Sequence, residues 1–302
     1  MAAATRPFVG IVGLGRMGAP IAGRLREAGA AVTATDLRPE RRALAESLGI
    51  GWSPGTAELA AECGVVVTVL PGPGEVREVI PPLLRGLKAG DAWIDMTSGV
   101  PDLAREIRMH ARPGVRVLEC PVGGGPVEAG RGELLGYLGA EASDRAAGEW
   151  LLRSLCRGFA HTGAPGTGYA AKLLVNLLWF GQALAVSETL ALAVRLGLDP
   201  ARLRVTLAES AAGSRFLDRD APRLLSGDDM ATFALSRCVE ELEGVLGLAG
   251  QQGLELPVAE RVTELYRQAL HTHGDADGEL LAARRLAEGL GVAFSPPQPT
   301  ER

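Results

Sequence analysis

The sequence predicts an α/β protein in which an N-terminal, doubly wound parallel sheet precedes an all-α domain, the two joined by a long helix. Short strands in the first half are apolar throughout and alternate with amphipathic segments, a pattern typical of a parallel sheet covered on both faces. Beyond residue 162 the apolar spacing is helical almost everywhere. The length of 302 residues is sufficient for two domains.

The elements are predicted in chain order from these patterns. Strands are expected at 8–13, 31–36, 65–70, 92–95, 115–119 and 135–138, with the first helices at 17–28 and 39–48. Later helices are expected at 169–196, 200–211, 234–252, 257–271 and 278–290. The glycine-rich run 163–168 separates the two patterns. We therefore expect domains at 1–163 and 164–294, and a disordered tail at 295–302.

Composition and charge exclude several classes of function. A net charge of −5 and a pI near 5.6 argue against binding to nucleic acid or to an anionic membrane surface. The start of the chain shows no secretory signal pattern, and the cysteines are dispersed, so a cytoplasmic protein is expected. No histidine or cysteine has metal-ligand spacing, so no metal is expected. The apolar stretch 170–197 contains too many polar residues for a membrane span: Lys172, Asn176, Gln182, Ser187, Glu188 and Arg195.

A glycine motif joins the first predicted strand to the first helix. Gly13 suits a tight turn, Gly15 allows a pyrophosphate to approach the backbone, and Gly18 allows the helix to pack on the strand. Free amides at the start of the helix attract negative charge. The motif therefore predicts a dinucleotide-binding Rossmann domain, with these cofactor-binding residues: Gly13, Leu14, Gly15, Arg16, Met17 and Gly18.

The end of the second predicted strand bears on the choice of cofactor. Asp36 is placed to accept hydrogen bonds from the adenosine ribose, and its charge repels a 2′-phosphate, which favours NAD over NADP. Arg38 is able to hold such a phosphate, so NADP stays open. We expect Asp36, Leu37 and Arg38 to bind the cofactor.

Five motifs in order resemble one known family. They are the glycine turn extended to Pro20, Leu70-Pro71, and the runs 95–101, 120–134 and 166–176. Together they resemble the β-hydroxyacid dehydrogenases, which include 3-hydroxyisobutyrate dehydrogenase and tartronate semialdehyde reductase and are related to 6-phosphogluconate dehydrogenase. The resemblance covers most of the chain. It implies an NAD(P)-dependent enzyme that acts on the CH–OH group of a small carboxylate, or on the matching semialdehyde.

The resemblance also implies roles for loops at the sheet edge. Leu70 and Pro71 would lie against the dinucleotide, while Thr97 and Ser98 would face the nicotinamide, with Ser98 also near the substrate; turn or cap roles remain open for either hydroxyl. The family binds the substrate carboxylate through a Ser-Gly-Gly motif, which here corresponds to the substrate-binding residues Gly123, Gly124 and Gly125. Their amides are able to form an anion-binding nest, but the serine hydroxyl is missing. A purely structural glycine turn is the alternative.

Lys172 and Asn176 are the expected catalytic and substrate-binding residues. Four positions apart, they share one face of a helix. A lysine among apolar neighbours is costly unless it has a task or a partner. The resemblance implies that Lys172 is the general acid in reduction and the base in oxidation, and that Asn176 orients the substrate. The alternative is a snorkelling or salt-bridged lysine.

A later helix matches the family with changes. Phe233 is kept, Glu241 replaces an aspartate, and both are expected near the substrate. Glu240 replaces a lysine that contacts the cofactor in the family. One hypothesis is that Arg237, one turn earlier, supplies the missing charge. An ordinary surface salt bridge is the alternative.

Two other functions fit the same pattern. Imine reductases share this architecture but usually carry another residue at the lysine position, so Lys172 argues against them. A cofactor-binding scaffold without catalysis would explain the changes at Gly123 and Glu240. The apolar long helix also predicts a homodimer or homotetramer.

Overall fold

A computed structural model describes residues 8–294; the tail expected at 295–302 lies outside these residues. The chain divides into two compact units, one ending at Lys172 and the other beginning at Leu173. This division falls inside a long helix, whereas the sequence pattern places the boundary at 163/164.

Strands occur only in the first unit among the described residues. They are β1 (Phe8–Val12), β2 (Ala31–Thr35), β3 (Gly51–Trp52), β4 (Val65–Thr68), β5 (Ala92–Asp95), β6 (Arg116–Glu119), β7 (Val122–Gly123), β8 (Leu134–Gly139) and β9 (Cys156–Gly163). In residues 8–294 they form one sheet in the order β3-β2-β1-β4-β5-β6-β8-β7, with β9 also paired to β8.

The strand order places a topological switch beside β1. β2 lies on one side of β1 and β4 on the other, all in parallel. Chains leaving β1 and β4 diverge at their carboxyl ends, which is where ligands bind in open α/β sheets. The switch therefore lies directly beside the glycine motif.

Helices cover both faces of this sheet. Those of the first unit are α1 (Gly18–Glu27), α2 (Arg41–Ser47), α3 (Thr56–Glu62), α4 (Pro73–Gly86), α5 (Pro101–His110), α6 (Pro126–Arg131) and α7 (Arg145–Leu155). Proline opens α4, α5 and α6, where its missing N–H costs nothing.

The strands are apolar throughout because each face buries its own cluster. Val9 and Ile11 of β1 belong to a cluster that includes Leu25 of α1. On the other face, Trp93 and Val117 belong to a cluster that also contains Leu83, Ile107 and Tyr169. The continuous apolar runs of the sequence have this two-sided burial as their cause.

The second unit is helical within residues 173–294. The long helix α8 (Thr167–Arg195) runs into it, followed by α9 (Pro200–Ala208), α10 (Arg215–Arg219), α11 (Ala221–Ser226), α12 (Leu235–Gln251), α13 (Pro257–His273) and α14 (Leu281–Gly289). Phe180, Leu242 and Tyr266 form part of its core, with the rings of Phe180 and Tyr266 4.8 Å apart. Aromatic packing of this kind holds helices together through buried apolar area.

The predicted fold class is confirmed, with one difference in the sheet. β8 pairs antiparallel with β6 and β7, while β9 is parallel to β8. The short strands β3 and β7 and the polar strand β9 gave no clear apolar signal in the sequence. Mixed edges of this type are common on doubly wound sheets.

The apolar character of α8 has a second consequence. It is long and apolar enough, by length and composition alone, to cross a membrane, a test that core helices of globular proteins also pass. Ser187 within it is fully buried and donates to the carbonyl of Ala283 at 2.5 Å. The expectation of no membrane contact stays a prediction.

Candidate active site

The turn after β1 depends on two glycines. Gly13 has a φ of +100°, a region that favours glycine, and a Cβ there would strike the carbonyl oxygen of Val69. A Cβ at Gly18 would strike the carbonyl oxygen of Gly13. The backbone therefore folds back on itself more tightly than any side chain would allow, and α1 begins at Gly18.

Asp36 ties this turn to the end of β2. Its Oδ2 accepts the N–H of Leu14 at 2.8 Å, and its Oδ1 accepts the N–H of Arg38 at 3.0 Å. The Arg38 guanidinium also donates to Oδ1, at 3.0 Å. Burial alone would raise the pKa of Asp36, but the hydrogen bonds from Arg38 and Leu14 outweigh it, so this pKa lies below its usual value. The carboxylate is charged at neutral pH.

The turn fits a dinucleotide. A Cβ at Gly15 would meet nothing within 4 Å, so the space beside the turn is open at the position where a pyrophosphate approaches such motifs. Leu14 is buried, whereas Arg16, Leu37 and Arg38 are exposed and Met17 is half-buried at the start of α1. The six residues 13–18 and the three residues 36–38 are thus brought together by the Leu14–Asp36 hydrogen bond.

A buried network joins the carboxyl ends of β4 and β5. Asp95 accepts from Thr68 Oγ1 at 2.5 Å and from the N–H of Thr97 at 3.2 Å. Trp93 Nε1 donates to Thr68 Oγ1 at 2.9 Å, and Thr97 Oγ1 accepts the N–H of Leu70 at 3.1 Å. The Thr97 side chain therefore holds the Leu70 turn in place. This is a turn role of the kind that the sequence left open for the Thr97 hydroxyl. Pro71 is exposed and Ser98 half-buried.

Tyr169 attaches the first turn of α8 to this network. Its side chain is fully buried, and its hydroxyl donates to Asp95 Oδ2. Burial raises the pKa of Asp95 and raises that of Tyr169 well above its usual value, so the phenol keeps its proton. Lys172 follows three residues later on the same helix and is half-buried. The position of Lys172 therefore depends on a hydrogen bond to the end of β5.

Glu119, the last residue of β6, holds the start of α8 at a second point. Its Oε1 accepts the N–H of Gly166 and, at 3.3 Å, that of Gly168. Burial raises the pKa of Glu119 to about 7, and the nearby Asp95 adds to the shift, while the two amide hydrogen bonds oppose it. An acidic group at a helix N-terminus satisfies amides that have no partner within the helix.

The glycine run 123–125 differs from the expected anion nest. Gly124 has a φ of +112°, but the N–H of Gly125 donates to Glu128 Oε2 at 2.9 Å at the start of α6. The amide of Gly125 thus has a partner within the protein, and binding of a substrate anion by the run 123–125 stays a prediction. Gly123 is half-buried in β7.

Asn176 is held from within the second unit. Its Nδ2 donates to Glu241 Oε2 of α12. Glu241 is buried, and its other oxygen, Oε1, has no hydrogen-bond partner among residues 8–294. The structure thus pairs two of the residues that the sequence singled out. Lys172 lies one turn before Asn176 on α8.

Glu240, the other substituted position of α12, forms a surface ion pair with Arg237. Arg237 Nη1 donates to Glu240 Oε2 at 2.7 Å, three residues along the helix. This is the salt bridge that the sequence left as the alternative, and it pairs the two side chains whose roles were in question. Phe233 precedes α12 and packs against the core of the second unit.

Sequence reasoning missed the anchors of α8. Asp95, Glu119 and Tyr169 lie inside or beside apolar runs, and the two acids end strands that are buried except at Arg116. An acidic residue that closes a buried strand was the available signal. Among residues 8–294, no group of three or more His, Cys, Asp or Glu side chains is arranged to hold a metal ion.

Comparison with known families agrees with this architecture. Residues 8–163 match the NAD-binding domain of 6-phosphogluconate dehydrogenase. Residues 166–286 match the family described as the NAD-binding domain of NADP-dependent 3-hydroxyisobutyrate dehydrogenase. The first match alone spans more than half of the chain.

Individual relatives extend over most of the chain. L-threonate dehydrogenase of Cupriavidus necator is 29% identical over 276 residues, covering 89% of this chain and 93% of its own. A structure of Mycobacterium tuberculosis 3-hydroxyisobutyrate dehydrogenase with L-serine has a TM-score of 0.85 at 24% identity, covering 95% and 100%. An imine reductase from Pseudomonas sp. shares the fold, with a TM-score of 0.61 at 19% identity and coverage of 93% and 99%. The chain is therefore a member of the 3-hydroxyisobutyrate dehydrogenase-like β-hydroxyacid dehydrogenases, NAD(P)-dependent oxidoreductases that act on CH–OH groups.

Proposed function

We propose that this protein transfers a hydride reversibly between a nicotinamide cofactor and a small carboxylate with a β-hydroxyl, or its semialdehyde, with Lys172 as the acid–base residue. The observation that carries the proposal is the anchoring of α8. Buried Asp95 and Glu119 hold the first turn of this helix at the carboxyl ends of β5 and β6. That edge of the sheet is where dinucleotides bind in such folds.

The anchored helix sets the position of the lysine. Tyr169 is fixed through its buried hydroxyl, and Lys172 lies three residues later, within the same turn of helix. Asn176 follows one turn on, its amide oriented by Glu241. A side chain locked by such supports loses little freedom when it meets a substrate, which favours precise orientation.

The chemistry requires a proton to move as the carbon changes oxidation state. Bound NAD(P) supplies the hydride acceptor or donor. In oxidation, Lys172 Nζ accepts the hydroxyl proton of the substrate; in reduction, its ammonium donates a proton to the oxygen of the new alcohol. Acid–base residues of this kind contribute roughly 10²–10⁴-fold to rate. Asn176 is suited to hold the same oxygen through its amide.

We further propose that NAD is preferred over NADP. The charged Asp36 lies beside the glycine turn, and its carboxylate would repel a 2′-phosphate. Arg38, which would otherwise attract that phosphate, is paired with Asp36 at 3.0 Å. Half of the Arg38 side chain is exposed, so this pair is weak enough to open.

The relatives support a small hydroxylated acid as substrate. L-threonate carries hydroxyl groups beside a carboxylate, and L-serine, present in the mycobacterial structure, is a β-hydroxy amino acid. L-threonate is named as the substrate of the first protein and L-serine accompanies the second, and we extend their chemical class to this chain. Oligomerisation stays a prediction, supported by exposed apolar side chains on α8 such as Leu174, Leu178 and Leu192.

A parallel screen tests the proposal. Purified protein is assayed with 3-hydroxyisobutyrate, L-threonate, L-serine and 3-hydroxypropionate, each with NAD and with NADP, by following the absorbance of the reduced nicotinamide. We expect turnover of at least one acid, faster with NAD. Lys172→Ala should lower kcat by about 100-fold or more while leaving the affinity for NADH unchanged.

The chain offers a matched control for that variant. Lys88 is the other lysine of the sequence. Its Nζ donates a hydrogen bond to the carbonyl of Ala61 on the surface. Lys88→Ala should keep wild-type kcat. Turnover of cyclic imines but of no hydroxyacid would replace the proposal with imine reduction. NADH binding without turnover of either class would indicate a scaffold, and a fully active Lys172→Ala would remove the role given to the lysine.

A further inference from the structure

Gly123 lies beside a tyrosine hydroxyl. In the antiparallel pair of β7 and β8, Gly123 is opposite Leu135, and Tyr137 is its diagonal neighbour two residues along β8. A Cβ at Gly123 would lie 3.3 Å from the Tyr137 hydroxyl oxygen, closer than to any other side-chain atom. Diagonal neighbours are within reach of aromatic side chains on one face of a sheet. The phenol oxygen therefore lies where a short polar side chain on residue 123 would point.

Tyr137 shares a face of the sheet with the start of α8. On β8, Gly136 faces the core formed with Cys120 and Phe159, so residues 135, 137 and 139 face the other way. On that other face a Cβ at Gly139 would strike the Glu119 carboxylate and lie 2.8 Å from the N–H nitrogen of Gly168. The Tyr137 hydroxyl consequently lies on the face of the first turn of α8, which leads to Lys172.

The hydroxyl of Tyr137 is a neutral donor without an acceptor in the part of the chain that the structure describes. Burial raises the pKa of Tyr137, while the nearby Arg157 opposes that shift without cancelling it, so the phenol keeps its proton at neutral pH. No group within residues 8–294 forms a hydrogen bond with it. A half-buried O–H in the field of a positive charge suits an anionic acceptor, because hydrogen bonds to charged groups are stronger than neutral ones.

We propose that the Tyr137 hydroxyl donates a hydrogen bond to the carboxylate of the substrate, in place of the side chain that Gly123 lacks. The inference rests on the proposed function, because it assigns a specificity-determining residue to the same site. Arg157 adds positive potential there, so the subsite distinguishes a carboxylate from an ester or an amide. Gly123 leaves the room that the tyrosine requires.

Tyr137→Phe removes the donor and keeps the ring. With 3-hydroxyisobutyrate we expect KM to rise about 10-fold or more, with the Kd of NADH unchanged. With the uncharged methyl ester of the same compound, wild type and variant should have equal KM. Gly123→Ser in the Tyr137→Phe background should recover most of the lost affinity for the acid, since a serine then fits the vacated space.

A binding measurement separates this inference from the proposed function. Calorimetric titration of 3-hydroxyisobutyrate into NAD-loaded Lys172→Ala protein, with and without Tyr137→Phe, reports the Kd even where no turnover occurs. A rise of about 10-fold in Kd on adding Tyr137→Phe supports the carboxylate contact even if the enzyme shows no turnover. An unchanged KM and Kd for the acid, or an equal loss for acid and ester, overturns it. Absence of turnover in wild type counts against the proposed function alone.

Discussion

Two glycine-rich turns of this protein are held by carboxylates, and the two carboxylates have opposite electrostatics. Asp36 accepts the N–H of Leu14 in the turn after β1, and Glu119 accepts the amides of Gly166 and Gly168 at the start of α8. The pKa of Asp36 lies below its usual value, whereas that of Glu119 is raised to about 7. The same kind of contact with backbone amides thus accompanies pKa shifts in opposite directions.

Neighbouring charge and burial explain the difference. Asp36 accepts hydrogen bonds from the Arg38 guanidinium and from two backbone amides, so its charged form is stabilised although its side chain is only 7% exposed. Glu119 is 2% exposed, and the negative charge that acts on it is that of Asp95, which is also buried. The pKa of a buried carboxyl is raised when its only hydrogen-bond donors are backbone amides, because these donors do not offset the loss of hydration. The glycine turn after β1 therefore carries a charged carboxylate, and the turn at the start of α8 carries one that titrates near neutral pH.

The largest expected effect comes from filling a glycine in either turn. A Cβ at Gly168 would strike the carbonyl oxygen of Tyr137, just as one at Gly18 would strike that of Gly13. Backbone atoms cannot give way as flexible side chains do, so Gly168→Ala and Gly18→Ala should each lower the free energy of unfolding by about 2–4 kcal/mol. Urea denaturation followed by circular dichroism measures both.

A glycine on the same long helix provides the control. A Cβ at Gly181 would only touch Val262 at 3.8 Å, an ordinary contact. Gly181→Ala should therefore be neutral or stabilise the protein by up to about 1 kcal/mol, since alanine favours helix. Equal stability of Gly168→Ala and Gly181→Ala would contradict the close packing at the start of α8.

The next effect separates the two carboxylates by pH. The folded protein binds the proton of Glu119 more tightly than the unfolded chain, so this stabilisation is fully present below pH 4.5 and is lost as the pH rises through about 7. Glu119→Gln should remove the pH dependence of stability that Glu119 contributes, while keeping an acceptor for the N–H of Gly166. Between pH 5 and pH 8, the free energy of unfolding of the variant should thus rise relative to that of wild type, by at most about 3 kcal/mol.

The measurement is the free energy of unfolding of both proteins at about pH 5 and about pH 8. Subtracting the two pH profiles removes only the part of the Asp95 contribution that does not depend on the charge of Glu119; the pKa of Asp95 is raised in the same direction. Parallel profiles for wild type and Glu119→Gln would show that the carboxyl is ionised throughout, against the interpretation given above.

The smallest effect concerns Asp36, beside the glycine turn after β1, and the choice between NAD and NADP. Asp36→Asn removes the charge, keeps an acceptor for Leu14 and releases Arg38 to meet a 2′-phosphate. The ratio of kcat/KM for NAD to that for NADP should fall by about 10-fold, or about 1.4 kcal/mol. Glu149→Gln, which opens the exposed ion pair between Glu149 and Arg153 on α7, is the control and should leave the ratio unchanged. An unaltered ratio in Asp36→Asn would mean that this carboxylate does not select the cofactor.

Local signals carried much of the prediction. The apolar strands, the glycine motif and the helical spacing after residue 162 led to the fold class, and Asp36 was found because it follows the motif at a fixed distance along a βαβ unit. Lys172 and Asn176 were predicted to share a face of one helix because they are four residues apart, while their catalytic roles stay predictions. Each of these signals acts within one or two elements, where sequence distance reflects spatial distance.

Other features had no local signal. The antiparallel strand β8 brings Tyr137 to Gly123, and β6 brings Glu119 to Gly166, 47 residues away. The occupied amide of Gly125 depended on a hydrogen bond that the sequence motif did not reveal. Such pairings depend on strand order and register, which a single sequence does not state.

The sequence by itself determined a dinucleotide turn and a helix bearing a lysine and an asparagine, because the spacing of residues within one element follows directly from its periodicity. Only the tertiary structure decided which buried groups hold that helix and what charge they carry. Solvent access and neighbouring charges, rather than residue type, set the pKa of a carboxyl, and both arise when distant strands are packed together.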